Sequence, residues 1–196
     1  EKVVCVELDT RLFPVLEDTL SGYDNLTLIN GDILKIDLKK VFEEHFEGME
    51  VFVCANLPYY ITSPVIMRLL EEKLPFNKII VMVQKEAGDR LCARVGSRES
   101  GAVTVAVNYY AEAKKLFDVS RGSFFPSPNV DSCVIGLDLT KKGNYDVKDE
   151  ALFFKMIKSA FAQRRKTILN SVSNGMGIEK EKLSLAIENA NLSPTA

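Results

Sequence analysis

The sequence predicts an α/β fold with a mostly parallel sheet covered by helices on both faces, followed by a small helical appendage. Apolar runs of strand length alternate with amphipathic helical patterns over residues 2–94. The strand runs are continuously apolar, which is typical of parallel strands buried on both faces. A polar stretch that contains Gly143 then separates this region from a segment with helical spacing only.

The first half of the chain is predicted to alternate strictly between strand and helix. β-Branched and aliphatic runs predict strands at 2–8, 26–29, 51–55 and 79–83. Apolar residues at helical spacing predict helices at 10–20, 39–46, 63–72 and 85–94.

The second half is predicted to add two strands and then helices. Residues 102–110 and 132–139 are predicted strands whose polar breaks suit an antiparallel edge. Residues 140–149 form a linker, a helical pattern runs from Leu152 past Ile168, a turn is expected at 174–177, and a last helix spans 181–189. We therefore expect an α/β domain over 1–139 and a helical C-terminal subdomain over 149–196.

Composition excludes several classes of protein. With 46% hydrophobic and 27% charged residues the chain is expected to fold, and its longest apolar runs, such as 79–83, are far shorter than a membrane-spanning helix. His45 is the only histidine, which argues against a zinc site and a Ser-His-Asp triad, so we expect no metal. The four cysteines form no Cys-x-x-Cys pair, which favours buried, reduced thiols and a cytoplasmic protein.

The charge is unevenly distributed along the chain. Residues 1–138 hold 15 basic and 21 acidic side chains, whereas residues 139–196 hold 10 basic and 6 acidic ones. A basic C-terminal region is compatible with a polyanionic partner, but ordinary solvated helices also carry surplus lysine.

Three polar side chains follow predicted parallel strands, at the sheet edge where ligands bind in such folds. Glu7 could accept hydrogen bonds from both hydroxyls of a ribose, or be a solvated carboxylate at a strand end. Asp32 could contact an adenine amino group, or simply cap a helix.

The third side chain belongs to the strongest signal, Asn56-Leu57-Pro58-Tyr59. An adenine amino group is a poor nucleophile because its lone pair is delocalised into the ring. Acceptance of its N–H bonds by the Asn56 side-chain oxygen and the Leu57 carbonyl would favour a more pyramidal nitrogen, and Tyr59 would stack on the base. The alternative is a strand end turned by Pro58, with Tyr59 in the core.

These motifs, in this order, resemble the KsgA-type ribosomal RNA small-subunit adenine N6,N6-dimethyltransferases, a family of class I methyltransferases that use S-adenosyl-L-methionine. The resemblance covers nearly the whole chain. It rests on the segments 6–9, 31–32, 56–59, 61–64, 84–86, 123–132 and 161–167.

The resemblance assigns roles to individual residues. It implies cofactor binding by Glu7, Leu8, Asp32, Ile33 and Asn56. It implies a transfer site made of Asn56, Leu57, Pro58, Tyr59 and Phe124, with the Phe124 ring stacked on the target base or packed against Phe125. It implies RNA contacts from Tyr60, Arg164, Arg165 and Lys166.

The implied activity is dimethylation of two adjacent adenines near the 3′ end of small-subunit rRNA, in ribosome biogenesis, with the immature small subunit as partner. The basic run 163–166 favours this substrate over the large-subunit rRNA of the erythromycin-resistance methyltransferases. DNA adenine methylation, and ribosome assembly by binding alone, remain alternatives. Arg164 is spaced four residues from Ala160 and Ile168, so its partner is either a carboxylate of the chain or an RNA phosphate.

The chain departs from the family pattern at its N-terminus. Only six residues precede Glu7, so the first strand and glycine-rich turn of the family are missing, and the C-terminus stops before the family's last helices. Since that strand lies between the strands ending at Glu7 and Asn56, we expect a gap or a raw edge. The first 30 residues would then pair with residues 51–55, borrow a strand from another chain or be poorly ordered, and cofactor binding would be weak.

Overall fold

A computed structural model describes residues 1–143, 145–163 and 165–194. The strands are β1 (Val3–Glu7), β2 (Leu26–Asn30), β3 (Val51–Asn56), β4 (Phe76–Gln84), β5 (Glu112–Val119) and β6 (Ser132–Asp138). The helices are α1 (Phe13–Leu20), α2 (Leu38–His45), α3 (Thr62–Glu71), α4 (Lys85–Leu91), α5 (Ala102–Tyr110), α6 (Glu150–Phe161), α7 (Ile168–Met176) and α8 (Lys180–Asn189). The predicted α/β architecture with C-terminal helices is confirmed.

The strands form two separate sheets. β1 and β2 make a parallel pair, and a second sheet has the order β3-β4-β6-β5, in which β3 and β4 are parallel and the other pairs antiparallel. Within the part of the chain that the structure describes, no strand pairing joins the two sheets. The expected gap is confirmed, and one of the three alternatives, pairing of the N-terminal unit with residues 51–55, is wrong. A strand supplied by another chain stays a prediction.

The main core lies between the four-stranded sheet and α3, α4 and α5. Alternate residues of β4 are buried, because successive side chains point to opposite faces. The core combines these residues with the apolar face of α3 and the inner face of β6. It includes Val65, Ile66, Leu69, Leu70, Ile79, Val81, Val83, Val107, Ile135 and Leu137.

One predicted strand is a helix. Residues 102–110 are rich in valine and aromatic residues, which favoured a strand, but they form α5. Val103, Ala106, Val107 and Tyr110 follow helical spacing and contribute to the buried side of α5. The N-terminus of α5 is fixed by Thr104, whose hydroxyl accepts from the Gly101 amide at 2.9 Å and donates to a carbonyl of α4 at 2.7 Å.

The strand that actually pairs with β6 was missed. β5 contains Lys114 and Lys115, and most of its residues are exposed. It lies at the edge of the sheet, where lysines discourage pairing with other chains, so its sequence carries no apolar strand pattern.

The C-terminal helices also differ from the prediction. The single helix expected from Leu152 past Ile168 is two helices, since α6 ends at Phe161 and α7 begins at Ile168. Residues 174–176 continue α7, and only Gly177 takes the left-handed conformation that ends it. Charge-assisted contacts and aromatic packing dock α6 on the α/β region.

The docking contact between α5 and α6 combines an aromatic cluster with one carboxylate. The clustered rings are those of Tyr109, Tyr110, Tyr145, Phe153 and Phe154. Glu150 accepts a hydrogen bond from Lys73 at 2.8 Å and another from the Tyr110 hydroxyl at 2.6 Å. Lys73 and then Tyr110 lower the pKa of Glu150, because both stabilise the ionised carboxylate.

Among the described residues, no helix has the length and apolar content needed to cross a membrane, and no cluster of three His, Cys, Asp or Glu side chains could hold a metal ion. The cysteines are free thiols, but the expectation that all are buried is wrong, since Cys54 is exposed.

Candidate functional site

Asn56 is the last residue of β3 and lies at the carboxyl end of the four-stranded sheet. It pairs with Met82 of β4, and the next amide, of Leu57, donates to the Met82 carbonyl at 3.3 Å. The pairing of Asn56 and the hydrogen bond of the next residue thus fix the backbone at Asn56, while the Asn56 side chain is exposed. Among the described residues, none hydrogen-bonds the Asn56 carboxamide, so its oxygen is available to a ligand.

The turn after Asn56 presents a second acceptor. The Leu57 side chain is buried, which anchors the turn in the core. The Pro58 carbonyl accepts from the Ile61 amide at 3.1 Å and starts the short helical turn that leads into α3. The Leu57 carbonyl, by contrast, accepts no hydrogen bond within the described part of the chain. Two oxygens from adjacent residues are therefore unpaired at this edge.

Tyr59 is tethered to this edge of the sheet. Its hydroxyl shares a 2.8 Å hydrogen bond with Ser132, a fully buried residue at the start of β6. The ring is half-buried. Because its polar end is anchored to a buried residue and its ring is partly accessible, stacking of Tyr59 on a base stays a prediction.

Phe124 lies in the loop between β5 and β6, which returns to the same edge. Asp131 holds the loop, since its carboxylate accepts from the Arg121 amide at 2.9 Å and its carbonyl accepts from the Lys85 amide at 3.0 Å. Phe124 is half-buried, whereas Phe125 is fully exposed, so packing of one against the other in a core is excluded. Among described residues, Tyr59 and Phe124 make no ring contact.

A cleft of about 300 Å³ adjoins the carboxyl end of β4. It is lined by Gln84, Lys85, Glu86, Arg121, Asn129, Val130 and Asp131. The Lys85 ammonium lies 3.2 Å from Asp118 and lowers the pKa of that carboxylate, so this lysine is partly neutralised.

Glu7 ends β1 with one carboxylate oxygen engaged. Oε1 accepts from the Asp9 amide at 2.7 Å, while Oε2 has no partner among the described residues. The Glu7 side chain is half-buried. The neighbouring Asp9 is bound by Arg11, whose hydrogen bonds lower its pKa to about 2. Leu8 is exposed, at 62% of its full area.

Asp32 heads the turn that follows β2. Its Oδ1 accepts from the Leu34 amide at 2.9 Å, and its Oδ2 lies 3.5 Å from the Lys35 ammonium. Part of the carboxylate therefore organises the turn, as a capping residue would, and Oδ2 has only a long ion pair. Ile33 is half-buried against the main core.

The predicted RNA-binding residues are exposed where the structure describes them. Tyr60 is 82% exposed, beside Tyr59. Arg165 and Lys166 are exposed between α6 and α7. Arg164 lies outside the described residues, so its position and its partner stay predictions.

Two residues that organise this region were not predicted from the sequence. Ser132 tethers Tyr59, and its polarity at the start of an apolar strand was the available signal. Arg68, in α3, donates to the carbonyls of Ile33 and Ile36, in the turn after Asp32. An arginine inside the apolar run 65–70 of α3 was the signal in that case.

Comparison with known sequences gives consistent results. The family described as "Ribosomal RNA adenine dimethylase" matches residues 1–193. The "Ribosomal RNA small subunit methyltransferase A" of Bacillus mycoides is 50% identical over 184 residues, which cover 93% of this chain and 63% of that protein. The Bacillus licheniformis protein of the same name is 48% identical over 196 residues, covering 98% and 67%. The chain thus spans about two thirds of the length of these curated relatives.

Solved structures share the fold. A dimethyladenosine transferase from Plasmodium falciparum superposes with a TM-score of 0.74 at 24% identity, over 98% of this chain and 75% of that one. The 23S rRNA methyltransferase ErmE gives a TM-score of 0.66 at 21% identity, over 100% and 75%. At such identities the likeness concerns the fold, which is that of the class I methyltransferases.

Proposed function

Since the chain belongs to the ribosomal RNA adenine dimethylase family, we propose that it is the methyl-transferring part of an enzyme that dimethylates adenines of small-subunit rRNA. The substrate is two adjacent adenines near the 3′ end, and the setting is ribosome biogenesis in the cytoplasm. The proposal divides the chain into a methyltransferase domain over residues 1–139 and a helical subdomain over residues 149–196. The small-subunit relatives at about 50% identity support this substrate.

One observation carries the proposal: two adjacent oxygens, the Asn56 carboxamide and the Leu57 carbonyl, are unpaired at the sheet edge where Tyr59 is tethered. An exocyclic amine has two N–H bonds, and two acceptors on neighbouring residues match that number. A solvated strand end needs neither the buried Ser132 anchor nor the buried Leu57. The arrangement favours a purine amino group as its ligand.

The residues on the cofactor side fit S-adenosyl-L-methionine. Glu7 offers an unpaired carboxylate oxygen, which suits the donor hydroxyls of a ribose. Asp32 offers Oδ2 to an adenine amino group, and Ile33 and Leu8 offer apolar area to the ring. The cofactor, when bound, supplies an electrophilic methyl group on a positively charged sulfur.

The protein's contribution to the reaction is alignment and hydrogen bonding. Asn56 and Leu57 accept from the target amine and direct its nitrogen lone pair toward the methyl carbon, while Pro58 fixes the turn that carries them. Tyr59 and Phe124 hold the base, at about 1 to 3 kcal/mol for each base–aromatic contact. A base bound in this way has left its stack, so the substrate is unpaired or flipped-out RNA. Tyr60, Arg164, Arg165 and Lys166 are proposed RNA contacts.

The test uses rRNA from a strain that lacks the gene. Primer extension across both rRNAs is expected to detect loss of two adjacent stops near the 3′ end of the small-subunit rRNA, because dimethylated adenine blocks the polymerase. Stops lost from large-subunit rRNA would favour the erythromycin-resistance type of substrate. Unchanged stops in both rRNAs would contradict the proposed rRNA methylation. If the stops are unchanged in both rRNAs but the protein still binds immature small subunits, the protein is an assembly factor that acts by binding alone.

A further inference from the structure

We infer that Arg68 is a positioning residue that clamps the Asp32 turn, residues 32–36, onto α3, and thereby holds the Asp32 carboxylate in place for the cofactor. The inference rests on the proposed function, because the Asp32 turn matters for catalysis only if a nucleotide cofactor binds there.

The Arg68 guanidinium makes three contacts from the last turn of α3. Its Nη1 donates to the Ile33 carbonyl at 2.6 Å, and its Nη2 donates to the Ile36 carbonyl. Its Nε donates to Glu72, one turn further along the helix, at 3.2 Å. The side chain is only 20% exposed. A planar guanidinium holds two carbonyls in one fixed geometry, which a lysine cannot do.

The two carbonyls that Arg68 binds belong to a turn organised around Asp32. The amides of Lys35 and Ile36 donate to the Asp32 carbonyl at 2.7 and 2.9 Å, and the Leu34 amide donates to the Asp32 side chain at 2.9 Å. The clamp and the proposed adenine contact therefore share one small, continuous hydrogen-bonded unit. Movement of this turn on α3 would move the Asp32 carboxylate.

The turn is also tight at its start. A side chain in place of Gly31 would come within 2.5 Å of the Ile36 side chain, so glycine is required for this close approach. The position of Ile36, which Arg68 holds, thus fixes the residue that immediately precedes Asp32.

The clamp links two parts that the strands leave separate. β1 and β2 pair with each other and, among the described residues, with no other strand. α3 follows directly after the Asn56–Tyr59 turn. Ile33, Leu34 and Ile36 add apolar contacts with the main core, but apolar contacts are non-directional, whereas two hydrogen bonds fix a register. The two hydrogen bonds of Arg68 therefore fix how the Asp32 turn lies against α3.

The experiment compares Arg68→Gln and Arg68→Lys with Glu72→Gln, in the protein at its natural full length. Glu72→Gln is the matched control, because it removes the ion pair of Arg68 and leaves both carbonyl contacts. Amide hydrogen exchange of residues 34–36 is measured without cofactor. KM for S-adenosyl-L-methionine and kcat are measured with immature small subunits.

Arg68→Gln is expected to accelerate exchange at residues 34–36 about tenfold and to raise KM for the cofactor about tenfold, which corresponds to about 1.4 kcal/mol. The value of kcat should stay within about twofold, since the transfer residues are untouched. Arg68→Lys, which keeps the charge but not the fork, should give roughly half the effect on a logarithmic scale. Glu72→Gln should resemble the wild type.

Unchanged exchange at residues 34–36 in Arg68→Gln would overturn the clamp. Faster exchange with an unchanged KM would overturn its role in positioning the cofactor side. If Arg68→Gln does not fold, hydrogen exchange and KM are measured on Arg68→Lys instead, and the same results overturn the inference. If the wild type neither binds S-adenosyl-L-methionine nor methylates RNA, the proposed function fails and the cofactor role falls with it, whereas the exchange data still decide whether Arg68 holds the turn.

Discussion

The two sheets of the molecule are stabilised in different ways. β4 and β6 lie inside the larger sheet, and their Ile79, Val81, Ile135 and Leu137 side chains are at most 1% exposed. β1 and β2 contain no buried residue, and neither does α1. The proposed transfer residues are therefore built on a packed core, whereas the proposed cofactor residues Glu7 and Asp32 follow strands without a buried residue, and the turn of Asp32 is held by the hydrogen bonds of Arg68. We therefore expect the backbone at Asn56 and Leu57 to be more rigid than the backbone at Glu7 and Asp32.

The comparison is tested most strongly at the transfer site. Asn56→Ala should lower kcat by about 10²- to 10³-fold, the scale seen when a hydrogen-bonding group that acts in the transition state is removed. The side chain is exposed, so the free energy of unfolding should change by less than about 0.5 kcal/mol. Methylation of immature small subunits and urea denaturation provide the two measurements.

Cys54→Ala is the matched control for Asn56→Ala, because Cys54 is an exposed residue two positions earlier in β3 and on the same side of the strand. It should retain full activity. Binding of immature small subunits should survive in both variants. Normal turnover by Asn56→Ala would remove the transfer site from the account.

Two leucine substitutions, one in each sheet, test the difference in packing between the sheets. Leu137→Ala in β6 should cost about 2 to 5 kcal/mol, because the residue is fully buried and its removal leaves a cavity. Leu28→Ala in β2 should cost about 1 kcal/mol, since that residue is only half-buried. Urea denaturation of both variants measures the two losses, and equal losses would contradict the proposed difference between the sheets.

The contact between α5 and α6 should depend on pH. Lys73 and Tyr110 lower the pKa of Glu150 in the folded state, so the ionised carboxylate stabilises folding above the ordinary glutamate pKa. That contribution is lost as the pH falls through the ordinary value and then through the lowered one. Glu150→Gln should therefore cost about 1 kcal/mol at neutral pH and less in acid.

Urea denaturation at about pH 7 and about pH 3 measures this dependence. Glu181→Gln, which changes an exposed glutamate of α8, is the control and should show no such convergence with the wild type. A loss for Glu150→Gln that is the same at both pH values would contradict the proposed role of the carboxylate.

The smallest effect is expected at the tether of Tyr59. Tyr59→Phe removes the hydrogen bond to Ser132 but keeps the ring, so it should cost about 0.5 to 1.5 kcal/mol of stability and leave kcat within about threefold. Tyr59→Ala removes the ring and should raise KM for RNA much more than Tyr59→Phe does. Loss of activity in Tyr59→Phe would mean that the hydroxyl, rather than the ring, acts on the substrate.

Much of the architecture could be predicted because its signals are local. The strands β1 to β4 could be predicted because continuous apolar runs that end in polar residues are typical of parallel strands. Residues 102–110 were misassigned because β-branched residues favour strands locally, whereas the helix is selected by packing of one face on the core. β5 was missed because an exposed, lysine-rich edge strand is defined by its partner and not by its own pattern.

The site could be predicted only in part. Asn56 and Tyr59 were identifiable from one short motif, since neighbours in sequence are neighbours in space. The contacts that hold them were not, because Ser132 lies 73 residues from Tyr59 and Arg68 lies 35 residues from Ile33. Such tethers depend on how distant elements pack, which periodicity does not encode.

The central claim is that Asn56 and Leu57 accept the exocyclic amine of adenine at this sheet edge. A crystal structure of the full-length protein with S-adenosylhomocysteine and adenosine tests it directly. We expect the adenine N6 about 2.7 to 3.2 Å from both the Asn56 Oδ1 and the Leu57 carbonyl oxygen, with the ring against Tyr59. An adenosine bound elsewhere, with the Asn56 carboxamide still facing solvent, would contradict it.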